Sequence, residues 1–68
     1  MTGVPTVDVF VHDEGTVFLL EPRSNRGEDW LQENLAGDPP RLGKSYAVEH
    51  RYVGDIVEGM LVDGLGVR

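Results

Sequence analysis

The stretch VDVFVHDEGTVFLL, residues 7–20, decides the fold because two strand patterns in it are joined by a short polar turn. Valines at positions 7, 9 and 11 alternate with other residues, and this period of two predicts a strand with the valines on one face. Asp13-Glu14-Gly15 then suits a hairpin loop. The apolar run TVFLL, residues 16–20, predicts a second, antiparallel strand, which Pro22 ends because proline has no N–H to donate.

A short helix of about three turns is predicted next, beginning at Ser24 or Asn25. Asn25 and Glu28 have the spacing of a capping box, in which each side chain satisfies the other residue's backbone N–H, and Ser24 is the alternative cap. Gly37 and the prolines after it end the helix. Its apolar stripe consists of Trp30, Leu31 and Leu35.

Residues 45–49 (SYAVE) predict a third strand, and the final segment, from about Arg51 to Leu65, predicts a second helix. Apolar residues in this segment follow the i, i+3, i+4, i+7 spacing of a buried helical face. They are Val53, Ile56, Val57, Met60, Leu61 and Leu65. Gly59 would allow the close approach of another backbone, and Gly64 is expected in the fraying end of the helix.

The order β-β-α-β-α predicts an α+β fold with a three-stranded, mostly antiparallel sheet and two helices packed on one face. The other face of the sheet is either solvated or covered by a second subunit. All 68 residues are assigned to one small domain, with residues 1–6 as a loose leader. A domain this small without cysteine has no disulfide to stabilise it, so a homodimer is an open alternative.

The chain has twelve acidic residues against six basic ones, a formal net charge of −6. This balance disfavours direct binding to nucleic acid or anionic lipid, and it favours a protein partner with a basic surface. No apolar run approaches the roughly 20 residues that cross a bilayer, and the N-terminus lacks the pattern of a signal peptide. The sequence therefore predicts a cytoplasmic protein that binds no membrane, although acidity alone also fits solubility.

Motifs for catalysis or cofactor binding are not visible in the sequence. It has no cysteine, no spaced histidine pair, no phosphate-binding loop and no nucleophile elbow, and so small a domain seldom encloses a cleft that perturbs pKa values. His12 with Asp13 and Glu14, and His50 beside Glu49, suggest a metal, but neither histidine has a partner at ligand spacing. We therefore predict a non-enzymatic protein without a cofactor or metal.

Acidic side chains on the outer sides of the two predicted helices form the candidate binding site. They are Glu28, Asp29 and Glu33 on the first helix, Asp55 and Glu58 on the second, and Asp63 with Asp38 at the margins. If the helices pack side by side, these carboxylates form one negative surface. Such a surface can occupy the positions that a nucleic-acid-binding protein reserves for phosphates. The alternative is an ordinary solvated helix face.

The densest polar cluster, Glu49-His50-Arg51-Tyr52, allows two interpretations. Arg51 and Tyr52 are residue types that are favoured in binding hot spots. Alternatively, Tyr52 packs on the edge of the core and Arg51 pairs with a nearby carboxylate. Of the two, the structural interpretation is preferred.

Five segments from Gly15 onwards carry a resemblance: VFLLEP (17–22), Gly27 with Trp30, ENL (33–35), VEHRYVGDIV (48–57) and DGL (63–65). Through them, about three-quarters of the chain resembles a widespread family of short bacterial proteins often carried on prophages and plasmids. That family implies no particular activity. By size and charge the chain is also similar to anti-CRISPR and anti-restriction inhibitors from mobile elements, several of which look like DNA mimics. This likeness is an analogy, not a shared motif.

We therefore expect a non-enzymatic, anti-CRISPR-like inhibitor that binds a basic DNA-binding surface of a CRISPR effector and excludes target DNA. A type I complex is the favoured target. The expected contacts are Glu28, Asp29, Glu33, Asp55, Glu58 and Asp63. The alternative is a small structural or regulatory module that self-associates through the open face of the sheet.

Overall fold

A computed structural model describes residues 6–35, 37 and 39–68, and these form a four-stranded antiparallel sheet with two helices. The strands are β1 (Val9–Asp13), β2 (Val17–Pro22), β3 (Arg41–Leu42) and β4 (Ser45–Glu49), and the helices are α1 (Asn25–Asn34) and α2 (His50–Val62). The strands lie in the order β1-β2-β4-β3, and each neighbouring pair is antiparallel. The predicted α+β class is thus confirmed.

The prediction of three strands was wrong, because the described residues contain a fourth, β3, between α1 and β4. β3 has two residues, lies in a segment predicted as a loop, and pairs with β4 across a turn in which Gly43 has a φ of 62°. Two residues are too few to show an alternating pattern, so no periodicity marks this strand in the sequence. The observed order is therefore β-β-α-β-β-α.

The hairpin of β1 and β2 forms with the predicted polar turn. The N–H of Gly15 donates to Asp13 Oδ1 at 2.9 Å, and Gly15 has a φ of 90°, a conformation that favours glycine. β2 continues two residues beyond its predicted end, and its last residue, Pro22, lies opposite Val9.

Both helices contribute to one core on the same side of the sheet. Leu31 of α1 and Met60 of α2 are fully buried in a cluster with side chains from the strands. The buried members of this cluster are Val9, Leu20, Leu31, Tyr46, Val48, Met60 and Leu65. Trp30 and Ile56 pack against it, as their helical spacing predicted. Leu61 does not, because it is 56% exposed on the solvent side of α2.

Ser24, not Asn25, caps α1. The Ser24 hydroxyl accepts a hydrogen bond from the N–H of Gly27 at 3.0 Å. The predicted capping box of Asn25 and Glu28 is therefore wrong: with Ser24 as the cap, the third helical residue is Gly27, which has no side chain to complete the box.

α2 ends at Val62, three residues earlier than predicted, in a Schellman motif. Gly64 has a φ of 85°, and its N–H donates to the carbonyl of Leu61 at 3.0 Å. The N–H of Leu65 donates to the carbonyl of Met60 at 2.9 Å. Gly64 therefore terminates the helix and does not fray, and Leu65, whose N–H completes the motif, is buried.

The last residues add a parallel partner to the free edge of β1, which the sequence analysis did not predict. The N–H of Val11 donates to the carbonyl of Arg68 at 2.7 Å, and the N–H of Arg68 donates to the carbonyl of Val9 at 3.1 Å. Val67 forms a parallel bridge with Val9. This pairing satisfies backbone groups that an open sheet edge would expose. Of the predicted loose leader, residues 1–5 lie outside the described residues.

Asp8 is a buried carboxylate that joins the start of β1 to α1 and to the C-terminal segment. Its Oδ1 accepts a hydrogen bond from the Ser24 hydroxyl at 2.6 Å, and its Oδ2 accepts one from the N–H of Gly66 at 2.8 Å. Its backbone carbonyl accepts from the N–H of Arg23 at 2.8 Å. The hydrogen bond from Ser24, followed by that from Gly66, lowers the pKa of Asp8 although burial opposes the shift.

Gly27 allows α1 to approach this junction closely. A Cβ at position 27 would stand 2.0 Å from the carbonyl oxygen of Asp8, a backbone atom that cannot rotate aside. Gly54, in the exposed part of α2, is different, because a Cβ there would have no neighbour within 4 Å. The first glycine is required by packing and the second is not.

We predict opposite effects of alanine at these two positions. Gly27→Ala should lower the free energy of unfolding by about 2–3 kcal/mol, because α1 must move away from Asp8. Gly54→Ala should raise it by about 0.5–1 kcal/mol, because alanine favours the helix. Urea unfolding followed by circular dichroism measures both. Two changes of the same sign would contradict the close contact at Gly27.

Candidate functional site

The six predicted contact carboxylates divide into two groups. Glu28 is half-buried and Asp63 accepts a hydrogen bond from another helix, so both are used within the fold. The other four are exposed on the two helices. We call them the acidic helical surface: Asp29 and Glu33 on α1, and Asp55 and Glu58 on α2. Asp38, expected at its margin, lies outside the described residues.

Glu28 joins α1 to β4. Its Oε2 accepts hydrogen bonds from the Tyr46 hydroxyl and from the Gln32 amide, and Arg41 Nη2 lies 3.7 Å from its Oε1. Arg41 also stacks over Tyr46, with its Cζ 4.0 Å from the ring centroid. The hydrogen bond to Glu28 raises the pKa of the Tyr46 hydroxyl. These contacts give Glu28 a structural role.

Asp63 and Arg26 fix the two helices against each other. The indole N–H of Trp30 donates to Asp63 Oδ2 at 2.6 Å. Arg26 donates to the carbonyl oxygens of Asp63 and Gly64 at 3.3 and 2.6 Å, at the C-terminal end of α2, where a cation is favourable. A Cβ at Gly59 would lie 3.3 Å from the Trp30 ring. The predicted approach of another backbone at Gly59 is therefore wrong, because the close neighbour is the Trp30 side chain.

The acidic helical surface is not neutralised within residues 6–35, 37 and 39–68, since no ion pair there includes any of its four carboxylates. Residues three or four apart on a helix share one side, so each helix presents its two carboxylates together. Glu33 stands in the last turn of α1, where the backbone carbonyls disfavour negative charge and no basic residue offsets it. Helix stability therefore does not account for a carboxylate at Glu33.

The two histidines make local contacts. His12 Nε2 lies 2.8 Å from Glu21 Oε1, and this hydrogen bond lowers the pKa of Glu21. The His50 ring packs against that of Phe18, with centroids 4.6 Å apart. Within the described part of the chain, no group of three or more His, Asp or Glu side chains is placed to hold a metal ion.

The face of the sheet opposite the helices is not covered by any described element. We call its residues the outer sheet face; by strand register they are Phe10, His12, Val17, Leu19, Glu21, Leu42, Ser45, Ala47 and Glu49. Phe10 is 36% exposed, and its ring centroid lies 4.6 Å from that of His12. The face thus combines apolar side chains with the polar pair of His12 and Glu21 and with Ser45 and Glu49 along β4.

A groove opens between the end of α1, strand β4 and the start of α2. It has a volume of about 780 Å³. Its apolar floor includes Leu35, Pro40, Val48 and Ile56, and its exposed rim includes Glu49, Tyr52 and Asp55. Sequence reasoning missed this groove because its walls come from distant segments. One signal was present, since Glu49 and Tyr52 belong to the polar cluster considered as a hot spot.

Arg51 behaves as the structural interpretation of that cluster predicted. Its Nη2 lies 3.4 Å from Glu49 Oε1, and its Cζ lies 4.9 Å from the centroid of the Tyr52 ring. Tyr52 itself is 50% exposed at the rim of the groove, so it is only partly packed. The cluster is therefore a solvent-facing arrangement of a carboxylate, a cation and an aromatic ring.

No helix in the described ranges is long and apolar enough to span a membrane. No family model, curated protein or solved structure matches the chain. Function must therefore be inferred from the geometry and charge of these surfaces.

Proposed function

We propose that the protein is a non-enzymatic inhibitor whose acidic helical surface binds a basic, nucleic-acid-binding surface of another protein. The observation that carries the proposal is the set of four exposed carboxylates on two helices that are fixed side by side. Carboxylates at regular spacing can replace phosphates against Lys and Arg side chains, and nucleic acid is then excluded from the covered surface.

The distribution of the basic residues supports this proposal. Three arginines contact acceptors within the fold. Arg26 does so at the end of α2, Arg41 in the β3–β4 turn, and Arg51 at Glu49. Arg26 and Arg41 are thus held by backbone carbonyls, while the four helical carboxylates face solvent. With a net charge of −6, the domain would be steered towards a basic surface by long-range attraction.

A CRISPR effector, with a type I complex favoured, is the target class that we propose. This target class is inferred by analogy, because small acidic inhibitors encoded by mobile elements resemble this chain in size and charge. Such a complex holds DNA on basic surfaces in the bacterial cytoplasm, which is where the protein would then act. Inhibition would require no catalytic residue, cofactor or metal, since covering the DNA-binding surface is sufficient.

We predict that the protein lowers the binding of a labelled target duplex to a purified type I effector, and that Glu58→Lys weakens this effect about five- to tenfold. The reversal replaces an exposed attraction of up to about 1 kcal/mol by a repulsion. Glu14→Lys is the matched control, because Glu14 is exposed in the β1–β2 turn, belongs to neither helix, and changes the net charge equally.

A mobility-shift titration of wild type and both variants, at low and raised salt, measures this competition. Raised salt should weaken wild-type inhibition, because exposed charges are screened. If both variants lose inhibition equally, net charge is responsible and not the helical surface. If the wild type leaves DNA binding unchanged at every concentration, the proposed target class is wrong.

The outer sheet face favours a second candidate function, a module that self-associates. Leu19 lies at the centre of this face, between His12 on β1 and Ala47 on β4. Pairing two such faces would bury apolar side chains that the helices leave uncovered, and small domains often gain stability from a second subunit.

For this candidate we predict a monomer–dimer equilibrium that Leu19→Lys abolishes, because two lysines would be brought together in an apolar interface. Val62→Lys is the matched control, since Val62 is 79% exposed at the end of α2 and outside the face. Sedimentation velocity over a wide concentration range measures the equilibrium. A wild type that remains monomeric throughout would exclude this candidate.

A further inference from the structure

The groove between α1, β4 and α2 combines two chemistries that suit one kind of ligand. Its floor is apolar, and its volume of about 780 Å³ exceeds that of a single side chain. Its exposed rim carries two carboxylates, Glu49 and Asp55, and the ring of Tyr52. A ligand that fills it must therefore bring an apolar part for the floor and a cation for the rim.

Arg51 shows that this rim accepts a guanidinium. Its Nη2 is 3.4 Å from Glu49 Oε1, and its Cζ is 4.9 Å from the centroid of the Tyr52 ring. A carboxylate and an aromatic face thus already hold an arginine head group. Arg51 is 71% exposed in its side chain and is not among the residues that line the groove, so the apolar floor stays open.

We propose that the groove binds an arginine-bearing, partly apolar segment of the basic protein partner. The partner's guanidinium would displace Arg51 from Glu49 and Tyr52 and would also meet Asp55, while an adjacent aliphatic side chain covers the floor near Ile56. This inference rests on the proposed function and adds to it a specific anchor beside the acidic helical surface. A buried apolar anchor next to an arginine contact is the composition of a binding hot spot.

The test is a titration of the isotope-labelled protein with the capped pentapeptide GLRLG, followed by amide NMR shifts. We expect the largest shifts at Leu35, Val48, Tyr52 and Ile56. Two control peptides separate the chemistries: GLQLG removes the charge and GSRSG removes the apolar side chains. Each should bind at least about fivefold more weakly, because each loses one of the two complementary contacts.

Variants at the rim sharpen the test. Asp55→Asn and Tyr52→Ala should each weaken GLRLG binding about three- to fivefold, since both side chains are exposed and their removal does not disturb the core. Arg51→Ala should tighten it about two- to fivefold, because the internal competitor is gone. Glu14→Gln is the matched control: it removes one exposed carboxylate that belongs neither to the groove nor to the acidic helical surface, and it should bind like wild type.

The outcomes separate this inference from the proposed function. Shifts confined to Asp29, Glu33 and Glu58 would overturn the groove while leaving the acidic helical surface intact. Equal binding of GLRLG and GLQLG would show an apolar site without preference for a cation, and the absence of any shift at millimolar peptide would show no site. Groove binding of GLRLG, combined with no inhibition of the effector, would support the groove and overturn the proposed target.

Discussion

The buried carboxylate of Asp8 is the interaction on which the rest of the structure depends. Through its two oxygens it links the capping hydroxyl of Ser24 to the N–H of Gly66, so the start of α1 and the C-terminal segment are fixed to β1 at one point. The same residue's carbonyl lies against Gly27, which sets how closely α1 approaches the sheet. An ionised group removed from water is tolerated here because hydrogen bonds replace its hydration.

The position of α1 in turn fixes α2 and both surfaces proposed to bind partners. Arg26 and Trp30 of α1 reach the end of α2, at Asp63, and hold the helices side by side. That arrangement leaves the helical carboxylates on the solvent side and opens the groove between the other ends of the two helices. The chain therefore uses some carboxylates for folding and leaves others exposed to solvent.

Local patterns predicted what depends on local physics: the β1–β2 hairpin, strand β4, both helices, and the exposure of Glu33 and Glu58, which follows from helical phase. Contacts between distant segments were not predictable. The period of two in β1 predicts Asp8 on the face of the strand opposite the valines. No neighbouring residue in the sequence indicates that its hydrogen-bond partners are Ser24 and Gly66. For the same reason Glu28 and Asp63 were expected at the binding surface, although Tyr46 and Trp30 engage them.

The most direct test is the free energy of unfolding, measured from pH 7 to pH 3, for the wild type, Asp8→Asn and Glu33→Gln/Glu58→Gln. Because folding lowers the pKa of Asp8, its stabilisation is complete above the ordinary aspartate value of about 3.9 and is lost as the pH falls through the lowered folded value. Asp8→Asn should therefore lose about 1–3 kcal/mol at pH 7, with the difference from wild type shrinking towards pH 3. The double variant should be no less stable than wild type at pH 7; a loss as large as that of Asp8→Asn would contradict the division of carboxylates between folding and binding.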